Sequence, residues 1–149
     1  MVDYNYWSGL GIVGEVLPQE RNRVELDGET DSHGLPIPRV VFSYHENDRK
    51  LVTHAIGQMT RIMGAAGGED VWSAQRTAHL LGGCRMGVDA RDSVVDRDGR
   101  AHDVPNLWIC DGSVFPTSLA VNPSVTIQAI ASRTASRIRS LAAHRELAL

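Results

Sequence analysis

Asn106-Leu107-Trp108-Ile109-Cys110-Asp111-Gly112-Ser113-Val114-Phe115-Pro116, continuing through Val121-Asn122-Pro123-Ser124-Val125-Thr126, is the stretch on which the fold turns. Its first five residues read as a short strand, Asp111-Gly112-Ser113 as a turn, and Asn122-Pro123-Ser124 as the opening of a long helix. That helix places Val125, Ile127, Ile130, Ala131, Thr134, Ile138 and Leu141 at helical spacing and runs to about Ala143. Asn122 suits the N-cap and Pro123 the first turn, where a missing N–H costs little. Arg137, Arg139 and Arg145 gather toward the far end, where cations suit the dipole.

Upstream lies a second unusual segment, Ala78-His79-Leu80-Leu81-Gly82-Gly83-Cys84-Arg85-Met86-Gly87, in a region rich in Gly, Asp and Arg. Cys84 reads as a small buried thiol, and Arg85 either forms an ion pair or hydrogen-bonds backbone carbonyls. Ser93-Val94-Val95-Asp96 reads as another short strand. The run Asp92 to Asp98, closed by Gly99, hints at a calcium loop. Apolar Val94 and Val95 interrupt the alternating oxygen ligands, so a solvated turn between strands is predicted.

From about Asn47 to Ala66 the period is helical: Leu51, Val52, Ala55, Ile56, Met59, Ile62 and Met63 fall on one stripe. Asn47 or Asp48 can cap its start and Gly67-Gly68 its end. Before it the chain reads as strands and turns. Leu10 to Leu17 is short and apolar and stops at Pro18, while Arg23-Val24-Glu25-Leu26 alternates as a half-buried strand does. Asp27-Gly28 follows as a turn, then the breaker-rich His33 to Pro38, then the strand-like Arg39 to Tyr44.

Gly9-Leu10-Gly11-Ile12-Val13-Gly14 matches the dinucleotide pattern G-x-G-x-x-G letter for letter. The mechanism behind that pattern needs a buried strand before it and a helix after it. Asp3 to Ser8 is no such strand, and Pro18 arrives before a helix can develop, so the run is read as a glycine-rich strand edge. No Gly-x-Ser-x-Gly elbow is completed at Ser8 or Ser113.

Composition bounds the rest. The 149 residues are 42% apolar, with 15 basic and 18 acidic side chains and a formal charge of −3. That length can hide a moderate core in one domain. The mildly acidic balance argues against nucleic acid, whose phosphates need clustered positive charge. No apolar run approaches the roughly 18 residues of a membrane span. Met1 to Tyr6 lacks a secretory signal's basic start and apolar centre, which predicts a cytoplasmic chain. Cys84 and Cys110 permit at most one disulfide, and the six histidines show no metal-ligand spacing, so no metal is expected.

Together the segments 78–87 and 106–126 resemble the C-terminal part of the glucose–methanol–choline (GMC) family of FAD-dependent oxidoreductases. Glu15-Val16-Leu17-Pro18, Asn22-Arg23-Val24 and the Asp31 to Pro38 stretch are also similar to that family's substrate-domain strands. The resemblance implies an α+β fold: a mixed or antiparallel sheet with two long helices, combining the substrate domain with the last strand and helix of the FAD domain. Residues 1–76 would hold the substrate-domain strands and helix. Residues 77–149 would hold the catalytic histidine and the FAD-contacting strand and helix.

By the same resemblance His79 is the base that removes the hydroxyl proton of an alcohol or sugar as hydride passes to flavin N5. Asn122 is its partner at the substrate oxygen, in a His/Asn variant of the site. Asp111 and Gly112 would contact the ribityl or pyrophosphate part of FAD, and Asn122, Pro123 and Thr126 its ring. An imidazole suits that task because it titrates close to neutral pH, and a helix N-terminus would stabilise charge developing on the ring. Read as residues alone, His79 could equally be a hydrogen-bonded core histidine and Asn122 a helix cap. The family's N-terminal Rossmann-type FAD unit has no credible counterpart here. The chain is therefore expected to be a C-terminal portion that is inactive without a separate FAD-binding chain or a longer parent. The competing expectation is a non-catalytic fragment or interaction module.

Overall fold

The computed structural model describes residues 4–118 and 120–147. Its regular elements are a 3-10 turn at Tyr4–Tyr6, β1 (Arg23–Thr30), β2 (Pro36–Val41), α1 (Glu46–Ala65), a 3-10 turn at Gly112–Val114, and α2 (Ser124–Ala143). This is the predicted α+β class, with an antiparallel sheet of two strands and two long helices.

β1 and β2 set Arg23 opposite Val41, Val24 opposite Val40 and Glu25 opposite Arg39. The Glu25 carboxylate is gripped by both Arg39 and Arg23. The Arg39 hydrogen bond, then that of Arg23, holds it below the usual carboxylate range. Pro36 and Pro38 are tolerated because each strand of a two-stranded sheet keeps an open edge. Asp27-Gly28, expected as a turn, instead lies inside β1 where the register shifts between Leu26 and Thr30. The reversal comes later, at Asp31 to Leu35. There the Asp31 carboxylate accepts the N–H of His33 at 2.8 Å and of Leu35 at 3.0 Å, and Gly34 takes a φ of 79°. β2 also begins earlier than Arg39 and stops before Tyr44. The Asn22 amide takes the place of the next rung, donating to the Ser43 carbonyl at 3.1 Å and accepting its N–H at 2.9 Å.

α1 begins one residue before the expected start. His45 is the N-cap, accepting the Asn47 N–H through Nδ1, and Asp48 closes a capping box by accepting the His45 N–H at 2.7 Å. Its end matches the glycine expectation: Gly67, at a φ of 81°, donates to Gly64 and Gly68 donates to Met63. α2 ends the same way, with Arg145 in the left-handed position and Glu146 donating to the Leu141 carbonyl. Its start departs from expectation. Pro123, not Asn122, occupies the N-cap, and no side chain caps the helix.

The three remaining expected strands do not form. Leu10 to Leu17 is irregular. Ser93–Asp96 and Asn106–Cys110 contribute single bridges, Val95 to Met86 and to Ala101, and Trp108 to Arg100. The cause is a tight reversal between them. The Asp96 carboxylate accepts the Asp98 and Arg100 N–H groups and Gly99 turns at a φ of 88°, a repeat of the Asp31–Leu35 bonding that leaves no room for a longer ladder. A small core gathers around these bridges: Val95, Ala101 and Val114 are buried, with Met86, Ile109 and Ile130 packed on them. Asp98 ties this layer to α2, pairing with Arg133 at 2.7 Å and accepting Thr134 Oγ1 on its carbonyl at 2.8 Å. By contrast the hairpin presents Val24, Leu26 and Val40 to solvent.

Candidate active site

The two segments singled out in the sequence meet through backbone hydrogen bonds. Cys84 N–H donates to the Ser113 carbonyl at 2.9 Å, and Met86 N–H donates to the Val114 carbonyl at 2.8 Å. The contact is close enough to demand glycine. A Cβ at Gly112 would lie 2.8 Å from Leu81 Cδ2 and 3.2 Å from Ile127 Cδ1, so the His79 segment, the 3-10 turn and the first turn of α2 converge there. Gly82, at a φ of 86°, faces the Phe115 carbonyl.

His79 precedes this junction and adopts a φ of 55°, a left-handed conformation that side chains other than glycine adopt at a cost. It is exposed, and lines a cleft of about 390 Å³. One wall is the hairpin (Val24, Val40, Phe42), another the residues Leu81 to Gly83, and a third the loop Phe115 to Ser118. Two contacts that sequence reading missed draw these walls together. Tyr44 Oη and Thr77 Oγ1 share a hydrogen bond at 3.2 Å, and Ser118 N–H donates to Glu15 Oε1 at 3.0 Å. Neither carries a local signal, since each joins residues far apart in the chain. The core-histidine alternative finds no support within the described residues, where His79 is exposed.

Asn122, Asp111, Gly112, Pro123 and Thr126 do not line that cleft. Asp111 and Gly112 belong to the junction, and Asn122, Pro123 and Thr126 to the head of α2. Asn122 is exposed and, among the described residues, its side chain makes no hydrogen bond, so the capping alternative falls away as well. The N–H groups of α2's first turn are likewise uncapped by any side chain. Asp111 caps the 3-10 turn, accepting the Ser113 N–H at 2.7 Å. Hydrogen bonding to Ser113, from its side chain first and then its backbone, holds the Asp111 carboxyl below its ordinary range.

A depressed folded-state value contributes stability above the ordinary carboxylate range that is lost as pH falls through the depressed value. Asp111→Ala is therefore expected to cost about 1 kcal/mol at pH 7, as lost caps do. The deficit should shrink in acid; urea midpoints measured from pH 7 down to pH 2 check this.

Arg85 lines the cleft, half-buried, and makes neither the ion pair nor the carbonyl contacts expected of it among the described residues. Cys84 is half-buried and Cys110 exposed, and both are free thiols. Of the Gly9–Gly14 run, only Gly14 has a packing explanation. A Cβ at Gly14 would lie 2.7 Å from Leu51 Cδ2 of α1, while Gly9 and Gly11 stand in open space with no flanking strand or helix. No helix among the described residues is long and apolar enough to cross a membrane.

Comparison with known proteins bears on this geometry. A family model described as GMC oxidoreductase matches residues 18–131. A 2-methyl-1,2-propanediol dehydrogenase of Mycolicibacterium austroafricanum is 44% identical over 126 residues, covering 80% of this chain and 23% of that protein. A 6'''-hydroxyparomomycin C oxidase of Streptomyces lividus is 38% identical over 132 residues, covering 85% of this chain and 24% of the relative. Pyridoxine 4-oxidase from Mesorbium loti shares the fold, with a TM-score of 0.55 at 21% identity over 84% of this chain and 28% of that one. The chain thus spans about a quarter of the length of the curated relatives it matches.

Proposed function

Because the chain belongs to the GMC oxidoreductase family, as its C-terminal domain, we propose that it forms the catalytic portion of an FAD-dependent oxidoreductase acting on CH–OH groups of alcohols or sugars. On this reading residues 1–76 supply the substrate-domain strands and helix, and residues 77–149 the catalytic segment and flavin contacts. The observation that carries it is the junction at Gly112, where the segment just after His79 packs against the 3-10 turn and the first turn of α2.

The residues fit a flavin on that side. The first-turn N–H groups of α2 lack a side-chain cap, which is the donor set that the electron-rich pyrimidine edge of such a ring requires. Pro123 and Thr126 would hold that edge, and Asp111 with Gly112 the ribityl or pyrophosphate part. FAD, when bound, supplies the two-electron acceptor. His79 takes the proton from the substrate hydroxyl as the carbon–hydrogen bond breaks, and Asn122 donates a hydrogen bond to the same oxygen. The apolar part of the cleft, Val24, Val40 and Phe42, holds the substrate's carbon chain and displaces water.

The proposed partners are the alcohol or sugar and an FAD-binding half, in a separate chain or a longer parent. The competing reading, a non-catalytic fragment or interaction module, draws on the exposed Val24, Leu26, Val40 and Trp72. Flavin absorbance separates the two. The chain is purified alone and together with an FAD-binding half, then challenged with alcohols and sugars. Bound flavin that bleaches is expected in the combined sample. No flavin and no bleaching in either sample overturns the proposal in favour of the module.

A further inference from the structure

The cleft beside His79 offers a ligand little to hydrogen-bond. Among the described residues no aspartate or glutamate lines it, and Asn22, Tyr44 and Arg23, though polar, are committed to the protein itself. Asn22 spends both ends of its amide on the backbone of Ser43. Tyr44 Oη and Thr77 Oγ1 bond each other at 3.2 Å, and the Arg23 guanidinium pairs with Glu25. Arg85 also borders a neighbouring cavity of about 230 Å³, which it shares with the Asp92 carboxylate. Beside His79 there remain Gln19 and the hydroxyls of Ser113, Thr117 and Ser118. Of these, Ser118 Oγ already accepts the Ala120 N–H at 3.3 Å.

The rest of the lining is largely apolar. Leu17 and Pro18 come from the irregular stretch before β1, Val24 and Val40 from the hairpin, and Phe42 from the residues just after it. Phe42 stands edge-on to Tyr44, with ring centroids 5.0 Å apart at 85°, so the tyrosine that Thr77 holds also braces the aromatic wall. Val24 and Val40 are 61% and 72% exposed. A ligand whose apolar body covers them removes that area from water.

Resting on the reading of this cleft as the substrate site, we infer that it selects an alcohol with a single hydroxyl and an apolar body, read by Val24, Val40 and Phe42, and turns sugars and polyols away. A sugar carries a hydroxyl on nearly every carbon. Each hydroxyl laid against those three side chains gives up water and meets no partner, which costs free energy that the apolar contact does not return. The one hydroxyl of a simple alcohol is the reacting one, and it faces His79.

1-Hexanol, 1,6-hexanediol and sorbitol share one carbon skeleton and carry one, two and six hydroxyls. Their binding to the 149-residue chain, followed through the methyl NMR signals of Val24 and Val40, tests the inference. 1-Hexanol is expected to shift those signals and to bind at least about tenfold tighter than sorbitol, with the diol between them. Added salt should leave the order unchanged, since no charge sets it. Phe42→Ser should narrow the ratio to about threefold or less, and Phe42→Leu, which keeps an apolar wall, should retain most of it. Equal binding, tighter sorbitol, no binding of 1-hexanol, unmoved Val24 and Val40 signals, or a ratio that survives Phe42→Ser overturns the inference. The same probes in the combined sample separate its failure from that of the proposed oxidation. Flavin bleached equally well by 1-hexanol and sorbitol upholds the oxidation and overturns the selection. Selective binding of 1-hexanol with no bleaching by any alcohol is instead the failure of the oxidation, and the inference falls with it.

Discussion

His79→Ala, in a sample that carries flavin, is expected to slow bleaching by alcohols about 10²- to 10⁴-fold, the usual contribution of a positioned base, while flavin stays bound. On the proposed reading, the substitution removes a single proton acceptor at the cleft wall. The junction that seats it is made by Cys84, Met86 and Gly112, none of which is altered. Backbone conformation supplies a control that alanine alone does not. At a φ of 55°, His79 carries the cost of a left-handed L residue, roughly 1 kcal/mol. His79→Gly removes that cost, so it should fold at least as stably as the parent and still lose the same rate. Stopped-flow flavin absorbance gives the rates and urea unfolding the stabilities. Bleaching at the parental rate in either variant would remove His79 from the reaction. A loss of flavin in both would make it a cofactor contact instead.

The second large effect is structural. Gly99 turns at a φ of 88° with its hydrogens facing backbone: a Cβ there would lie 2.6 Å from the Ile109 carbonyl oxygen and 3.0 Å from Thr134 Oγ1. Alanine must either push Ile109 away or unwind the turn. Both routes break the Ile109 N–H bond to the Gly99 carbonyl, and both disturb the Asp98 ties to α2. Strain and overpacking together are expected to cost roughly 3–4 kcal/mol. Against a total of about 5–15 kcal/mol for a typical domain, that is a large share. Gly57 is the internal comparison. It lies within α1 with open space around its Cα, so Gly57→Ala should stabilise by about 0.5–1 kcal/mol through helix propensity. Urea midpoints for the two variants should therefore move in opposite directions. A Gly99→Ala midpoint within error of the parent would mean the reversal does not carry the Val95–Val114 core as described.

Local sequence by itself determined the two helices and the core of β1. Leu51 to Met63 and Val125 to Leu141 repeat at the helical period because a helix buries one stripe whatever covers it, and both helices form within a residue or two of their expected bounds. The His79 and Asp111–Thr126 segments were singled out together by the family resemblance they carry, not by local pattern. Tertiary structure decided the rest. Leu10–Leu17, Ser93–Asp96 and Asn106–Cys110 have strand-like residues, but a strand also needs a continuous partner, and the reversal at Gly99 denies two of them one. Asn122 has the chemistry of a cap, yet Pro123 takes that position and leaves its amide for another use. His79's place on the cleft depends on groups brought together from distant parts of the chain. Periodicity and residue type report what a segment can bury or bond. Which partner it meets is set by non-local backbone pairing and close packing, and a stretch of sequence read by itself carries neither.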